Sequence, residues 1–158
     1  MINIRRLGAD EDLSPLIPLS REFFEEYEGH HEELFRIHDL QESHITAHFL
    51  GTLRSGNAAT YLASLDEKIV GYVTVKTISQ AEFYAIDRVG TIMGLMVTRS
   101  CRRRGVATRL LAAARSFFEE KQVRYFTLYT AAANAGALEF YRKNGLRPLH
   151  VTMVGDLI

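Results

Sequence analysis

Residues 91–118, TIMGLMVTRSCRRRGVATRLLAAARSFF, run from an apolar strand through a basic turn into an amphipathic helix. Thr91 to Val97 has the β-rich apolar character of a buried strand. Val106, Leu110, Leu111, Ala114, Phe117 and Phe118 recur at the spacing of one helix face. Between the two lies Arg102-Arg103-Arg104-Gly105-Val106-Ala107. A glycine at a strand-to-helix turn lets the backbone approach a ligand closely. The first helical turn then offers unpaired N–H groups and the positive end of the helix dipole. The segment reads as an anion site made mostly of backbone, suited to phosphate. Arginines at a helix start are unfavourable without an anion, which argues against a merely solvated basic turn.

Working outward, Ile2 to Leu7 reads as a first strand, and Gly8-Ala9-Asp10 breaks it. Ser14-Pro15 has the form of an N-cap followed by proline at the first helical position. Leu16, Leu19, Phe23, Phe24 and Tyr27 follow at helical spacing, with Gly29 as the stop. A second helix is predicted over Gln41 to Leu53. Thr60 to Leu65 and Ile69 to Ile78 form a hairpin around Asp66-Glu67-Lys68. Ser79 to Arg88 is either a loop or the ends of a longer hairpin, and Val89 to Val97 is the next strand. Gly90 and Gly94 within it mark a bulge or a close backbone approach.

Val123 to Thr130 is predicted as a strand, and Asn134 caps a helix from Ala135 to Lys143 that stops at Asn144-Gly145. Leu146 to Ile158 reads as a closing strand, able to pair between subunits of a homodimer near Val151 to Ile158. The order predicts an α/β (α+β) fold: a mixed, mostly antiparallel central sheet, helices on both faces, and one parallel β-α-β crossover.

The length of 158 residues is that of a single domain spanning 1–158. The 19 basic and 19 acidic side chains cancel, which removes the global electrostatic case for nucleic acid. Cys101 is the one cysteine, so no disulfide forms within the chain. No apolar run has the length of a membrane span, and the first residues lack the pattern of a signal peptide. The expectation is a cytoplasmic protein without membrane association. His44 and His48 have the spacing of paired metal ligands on a helix, but Ile45 stands where a zinc hydrolase has Glu and no third ligand is evident, so no metal is expected.

Two segments together resemble the GNAT superfamily of acyl-CoA-dependent N-acetyltransferases. One is Leu95-Met96-Val97 followed by Arg102-Arg103-Arg104-Gly105-Val106-Ala107, similar to that family's Gln/Arg-x-x-Gly-x-Gly/Ala motif. The other is Asn134 to Tyr141 followed by Asn144-Gly145-Leu146. The element order extends the resemblance over nearly the whole chain. It implies acetyl-CoA as co-substrate, its pyrophosphate held by backbone N–H groups of Arg104, Gly105, Val106, Ala107 and Thr108 with Arg103 nearby, while Arg102 orients the loop or pairs with phosphate. It implies that backbone groups of Leu95, Met96 and Val97 meet the pantetheine arm, and that Asn134 contacts this arm, caps its helix, or does both.

Acyl transfer to an amine needs a neutral amine, an oxyanion donor and a proton for the leaving thiolate. By resemblance, Tyr141 supplies that last proton. The alternative is that its ring packs in the core beside Phe140. The base stays open: the strand position that carries Glu in some relatives is near Thr91, leaving Glu82, Asp87, His30, His31 or water. Glu22, Glu25, Glu26, Glu28, Glu32 and Glu33 form either an acidic rim that attracts a cationic small-molecule or peptide amine, or a solvated helix face. The competing class is an acyl-CoA-binding module of the same fold without catalysis, which the absence of a carboxylate at Thr91 favours.

Overall fold

A computed structural model describes residues 1–30 and 33–158. His31 and Glu32, named above as a candidate base and as part of the acidic cluster, lie outside the described residues. The described chain forms β1 (Ile2–Arg6), α1 (Leu16–Glu28), α2 (Glu42–Leu53), β2 (Ala58–Leu65), β3 (Lys68–Ser79), β4 (Arg88–Val97), α3 (Val106–Glu120), β5 (Phe126–Leu128) and α4 (Ala135–Lys143), with a short 3₁₀ turn at Arg99–Cys101. The five strands make one sheet in chain order. Pairing is antiparallel from β1 to β4, and β4 to β5 is parallel. This is the mixed architecture expected from the element order.

The hairpins follow from turn chemistry. Asp66 and Glu67 both take positive φ, 48° and 68°, and connect the paired Leu65 and Lys68. Such a two-residue turn matches the right-handed twist of its strands. Both readings of 79–88 apply: its ends extend the hairpin, with Ser79 paired to Arg88 and Gln80 N–H donating to Asp87 O at 2.7 Å, and the residues between form the loop. On β4 the register slips, since Thr74 faces Gly94 while Val75 faces Ile92, and Met93 is the extra residue of a bulge.

Strand alternation sends successive side chains to two separate cores. On one face Val73, Val75 and Ile92 meet the α3 stripe of Val106, Leu110, Leu111, Ala114, Phe117 and Phe118. On the other, Leu62, Tyr72 and Met96 meet Leu16 and Leu19 of α1 and Ile45 and Phe49 of α2. Gly90 permits the close seating of α3: a Cβ there would lie 2.5 Å from the Phe118 ring.

Three expectations are corrected. Among the described residues no side chain caps α1: Ser14 is held on Asp12 instead, its hydroxyl donating to Asp12 Oδ2 at 2.7 Å and its N–H to Asp12 Oδ1 at 3.0 Å. The strand expected over Val123 to Thr130 is reduced to Phe126–Leu128, with Tyr125 and Tyr129 exposed. The closing strand does not form: residues 146–158 have no regular secondary structure. A strand needs a neighbour's backbone to pair with, and β5 ends the sheet after three residues. Among the described residues no helix is long and apolar enough to cross a membrane.

Candidate cofactor and acceptor site

β4 and β5 pair only where Gly90, Thr91 and Ile92 face Phe126, Thr127 and Leu128. Beyond that point β4 continues to Val97 with β3 as its only strand neighbour among the described residues. Leu95 to Val97 therefore present one backbone edge to the opening between the strands. Backbone donors and acceptors on such an edge take a partner when one is available, and an extended ligand can act as one. The side chains are otherwise engaged: Met96 is buried toward α1 and α2, and Val97 toward α3.

The turn that follows is held in place from α1. Thr98 Oγ1 donates to Glu22 at 2.8 Å, and the Arg99 N–H donates to the same carboxylate at 2.7 Å. Arg102 Nε donates to Val97 O at 2.8 Å, and its guanidinium pairs with Glu26 at 2.6 Å. Arg102 thus spans the strand end and the first helix. Arg103 sits at φ 63° and Gly105 at φ 85°, both in the left-handed region. Glycine tolerates that conformation without the Cβ penalty. No side chain caps α3 and no acid lies in its first turn. Its leading N–H groups, at Val106, Ala107 and Thr108, are left as donors at a positive helix end. Arg103 and Arg104 are exposed, and among the described residues no carboxylate forms an ion pair with either.

α4 stands beside this turn. Glu139 is held below the usual carboxylate range chiefly by Lys143 at 2.9 Å, and the charge of Arg103 adds to the effect. Asn134 Oδ1 accepts from the Ala137 N–H at 3.1 Å, the expected cap. Phe140 packs against the α3-side core, and Tyr141 meets its ring edge-on at 5.2 Å. Burial pushes the Tyr141 phenol up to about 12, so it stays protonated throughout the neutral range. Among the described residues its hydroxyl has no hydrogen-bond partner.

The base candidates scatter. Glu82 and Asp87 are exposed in the loop joining β3 to β4. The His30 ring lies edge-on to Tyr27 at 5.9 Å. Three acids of the cluster are committed elsewhere: Glu22 and Glu26 anchor the arginine turn, and Glu28 accepts from the Ile37 N–H at 3.1 Å. The two histidines of α2 also separate. His44 Nδ1 accepts from the Gln41 N–H at 3.0 Å and completes a capping box, whereas His48 Nε2 bonds Thr74 Oγ1 at 3.2 Å. Among the described residues no three His, Cys, Asp or Glu side chains are grouped to hold a metal.

Sequence reasoning missed the surroundings of His48. A cavity of about 260 Å³ lies between α2, the start of β2, and the outer halves of β3 and β4. His48, Thr52, Asn57, Lys76, Thr77 and the bulge residue Met93 line it. Enclosure by neighbouring atoms, with the charge of Lys76, lowers the His48 pKa. The available signal was the glycine-marked irregularity in β4; the α2 partner across the sheet is not visible in one-dimensional pattern.

The sequence model of the acetyltransferase (GNAT) family matches residues 17–146. A Bacillus halodurans protein superposes with a TM-score of 0.85 at 20% identity, covering 99% of both chains. An aminoglycoside acetyltransferase from an uncultured soil metagenomic sample, in complex with sisomicin, gives 0.70 at 26% identity over 99% of this chain and 97% of that one. An aminoglycoside N-acetyltransferase in complex with CoA gives 0.71 at 17% identity over 98% of both. At such identities the second and third names describe those proteins, and the superpositions establish a common fold.

Proposed function

The chain belongs to the GNAT acetyltransferase family, and from that premise we propose that it transfers an acetyl group from acetyl-CoA to a primary amine of a small molecule or peptide. The observation that carries this reading is the junction of two features. Among the described residues, the β4 edge from Leu95 to Val97 lacks a strand partner on the β5 side, and it leads within a few residues to a helix start without a side-chain cap. An acyl-CoA has the matching chemistry: a pantetheine arm with amides for a strand edge, and a pyrophosphate for a helix N-terminus.

In this reading the N–H groups of Arg104, Gly105, Val106, Ala107 and Thr108 hold the pyrophosphate, with Arg103 adjacent. Arg102 orients the turn through Val97 and Glu26 rather than spending its charge on the ligand. Leu95, Met96 and Val97 bond the pantetheine amides through their backbone. A strand N–H near Leu95 or Met96 stabilises the oxyanion. Asn134 caps α4 and orients it beside the arm.

The amine nitrogen attacks the thioester carbonyl carbon directly. The new C–N bond forms, the C–S bond breaks, and the amine proton leaves to water or a base. Tyr141 gives its phenolic proton to the departing thiolate, yielding amide and CoA thiol. A phenol held near 12 is loaded with its proton at any physiological pH.

A thermal shift with acetyl-CoA and thiol release across an amine panel test the reading. Saturation at about 100 times the dissociation constant stabilises by roughly 2.7 kcal/mol. Tyr141→Phe is expected to lower turnover at least tenfold while keeping the thermal shift; unchanged turnover removes Tyr141 from the mechanism. The second reading, a CoA-binding module without catalysis, draws on Thr91, which puts no carboxylate on β4. A thermal shift without thiol release from any amine selects it.

A further inference from the structure

The cavity beside His48 has a charge character opposite to the one a polycationic acceptor needs. Lys76 lines it, and among the described residues no carboxylate pairs with that ammonium. Arg88 adds a second cation at its rim: its guanidinium donates to Thr77 Oγ1 at 2.8 Å and to Asn57 Oδ1 at 3.4 Å, fixing two lining residues. Among the described residues no Asp or Glu lines it. Ser55, Asn57 and Thr77 add hydroxyl and amide groups that can donate to an anion, whereas the Thr52 hydroxyl already donates to Phe49 O at 2.8 Å.

The cavity also has the right address. Met93, the extra residue of the β4 bulge, forms part of its wall. Thr74 Oγ1, bonded to His48, would lie 3.6 Å from a Cβ on Gly94. Leu95, where the proposed acyl-binding edge begins, is two residues beyond Met93, or about 7 Å along an extended strand. A short aliphatic chain spans that distance.

We infer that this cavity receives an anionic group carried by the acceptor, so that the preferred substrate is a primary amine bearing a carboxylate or a phosphate. The inference rests on the acetyltransferase reading and names its substrate class. A carboxylate or phosphate there meets an unpaired ammonium and several neutral donors; a second ammonium meets only cations and their neutral partners. None of the α1 carboxylates lines this cavity; Glu22 and Glu26 are bonded to the arginine turn and Glu28 accepts from the Ile37 N–H.

The test is thiol release from acetyl-CoA with acceptors of equal reach: 5-aminopentanoate, 5-aminopentyl phosphate, 5-aminopentanamide and 1,5-diaminopentane. The expected result is a kcat/KM for one or both anionic amines at least about fivefold above the carboxamide, with the diamine lower still. The relative rates of the first two identify carboxylate or phosphate as the source of the anion. Lys76→Gln, at an exposed position, should narrow the ratio of anionic amine to carboxamide to below about twofold, through KM rather than kcat. Equal or faster reaction of the carboxamide or diamine overturns the inference, as does a ratio unmoved by Lys76→Gln. Thiol release from other amines of the wider panel but from none of these four overturns it as well. Failure of the underlying reading is separate, because it shows as no release from any amine of that panel, with or without a thermal shift with acetyl-CoA.

Discussion

Tyr72 shows how one buried phenol couples the fold to pH. It is 4% exposed, its ring meets Phe49 edge-on at 5.0 Å, and burial raises its pKa to about 12 despite the Ser20 hydroxyl at 3.4 Å. Below pH 10 the phenol is protonated in both folded and unfolded chains, and its contribution is fully present. Between pH 10 and 12 the unfolded chain releases that proton first, so stability falls as pH rises. Two pH units correspond to on the order of 2 kcal/mol. Urea unfolding at pH 9 and pH 11.5 should show the loss, and Tyr72→Phe should flatten the difference. An equally steep loss in the variant would assign it to other groups. Tyr141 acts in the same direction with more solvent around it. Neither effect is legible in sequence, since a tyrosine's surroundings come from distant elements: Ser20 and Phe49 here. The Asn134 cap was legible, because cap and acceptor stand three residues apart.

At the scale of elements, the same distinction between local and distant causes decides what pattern reading recovers. α3 and α4 emerge within a residue or two of their predicted limits, because helical periodicity and caps are written in neighbouring residues. β5 does not, because its length depends on how long β4 stays beside it. The arginine turn is mixed: its glycine and uncapped helix start are readable, but its clamp by Glu22 and Glu26 joins residues 76 or more apart in the chain. That clamp gives Glu22 and Glu26, two of the six acids read as either an acceptor rim or a solvated helix face, a task in holding the loop. The α4 cap gives a direct test of element stability. Asn134→Ala leaves the Ala137 N–H without its acceptor and should destabilise by about 1 kcal/mol, while Asn134→Ser should restore most of it. Should Asn134→Ala unfold at the same urea midpoint as the parent, solvent satisfies that helix end and the side chain's task lies elsewhere.

For the whole molecule, the two cores account for the packing of the sheet from both sides, and the final residues stand outside both. Leu149, Val151, Met153, Val154, Leu157 and Ile158 are each at least 60% exposed. The segment's apolar residues alternate from Leu149 to Met153, as in a strand with one covered face. Alternation alone gives no stability, since an extended segment without a neighbour leaves its backbone to water and loses the apolar burial that alternation would otherwise direct. The chain folded by itself should therefore be indifferent to this segment. Deleting residues 149–158 is expected to leave the melting temperature at low micromolar concentration within about 2 °C of the parent, as for changes confined to an exposed surface. The same deletion removes a row of exposed apolar side chains and should reduce association at high concentration, measured by light scattering. A fall of many degrees that does not depend on concentration would mean the segment packs onto its own chain. A fall that grows with concentration would mean the segment pairs with a second copy, adding to the backbone that the sheet leaves open beyond Leu128.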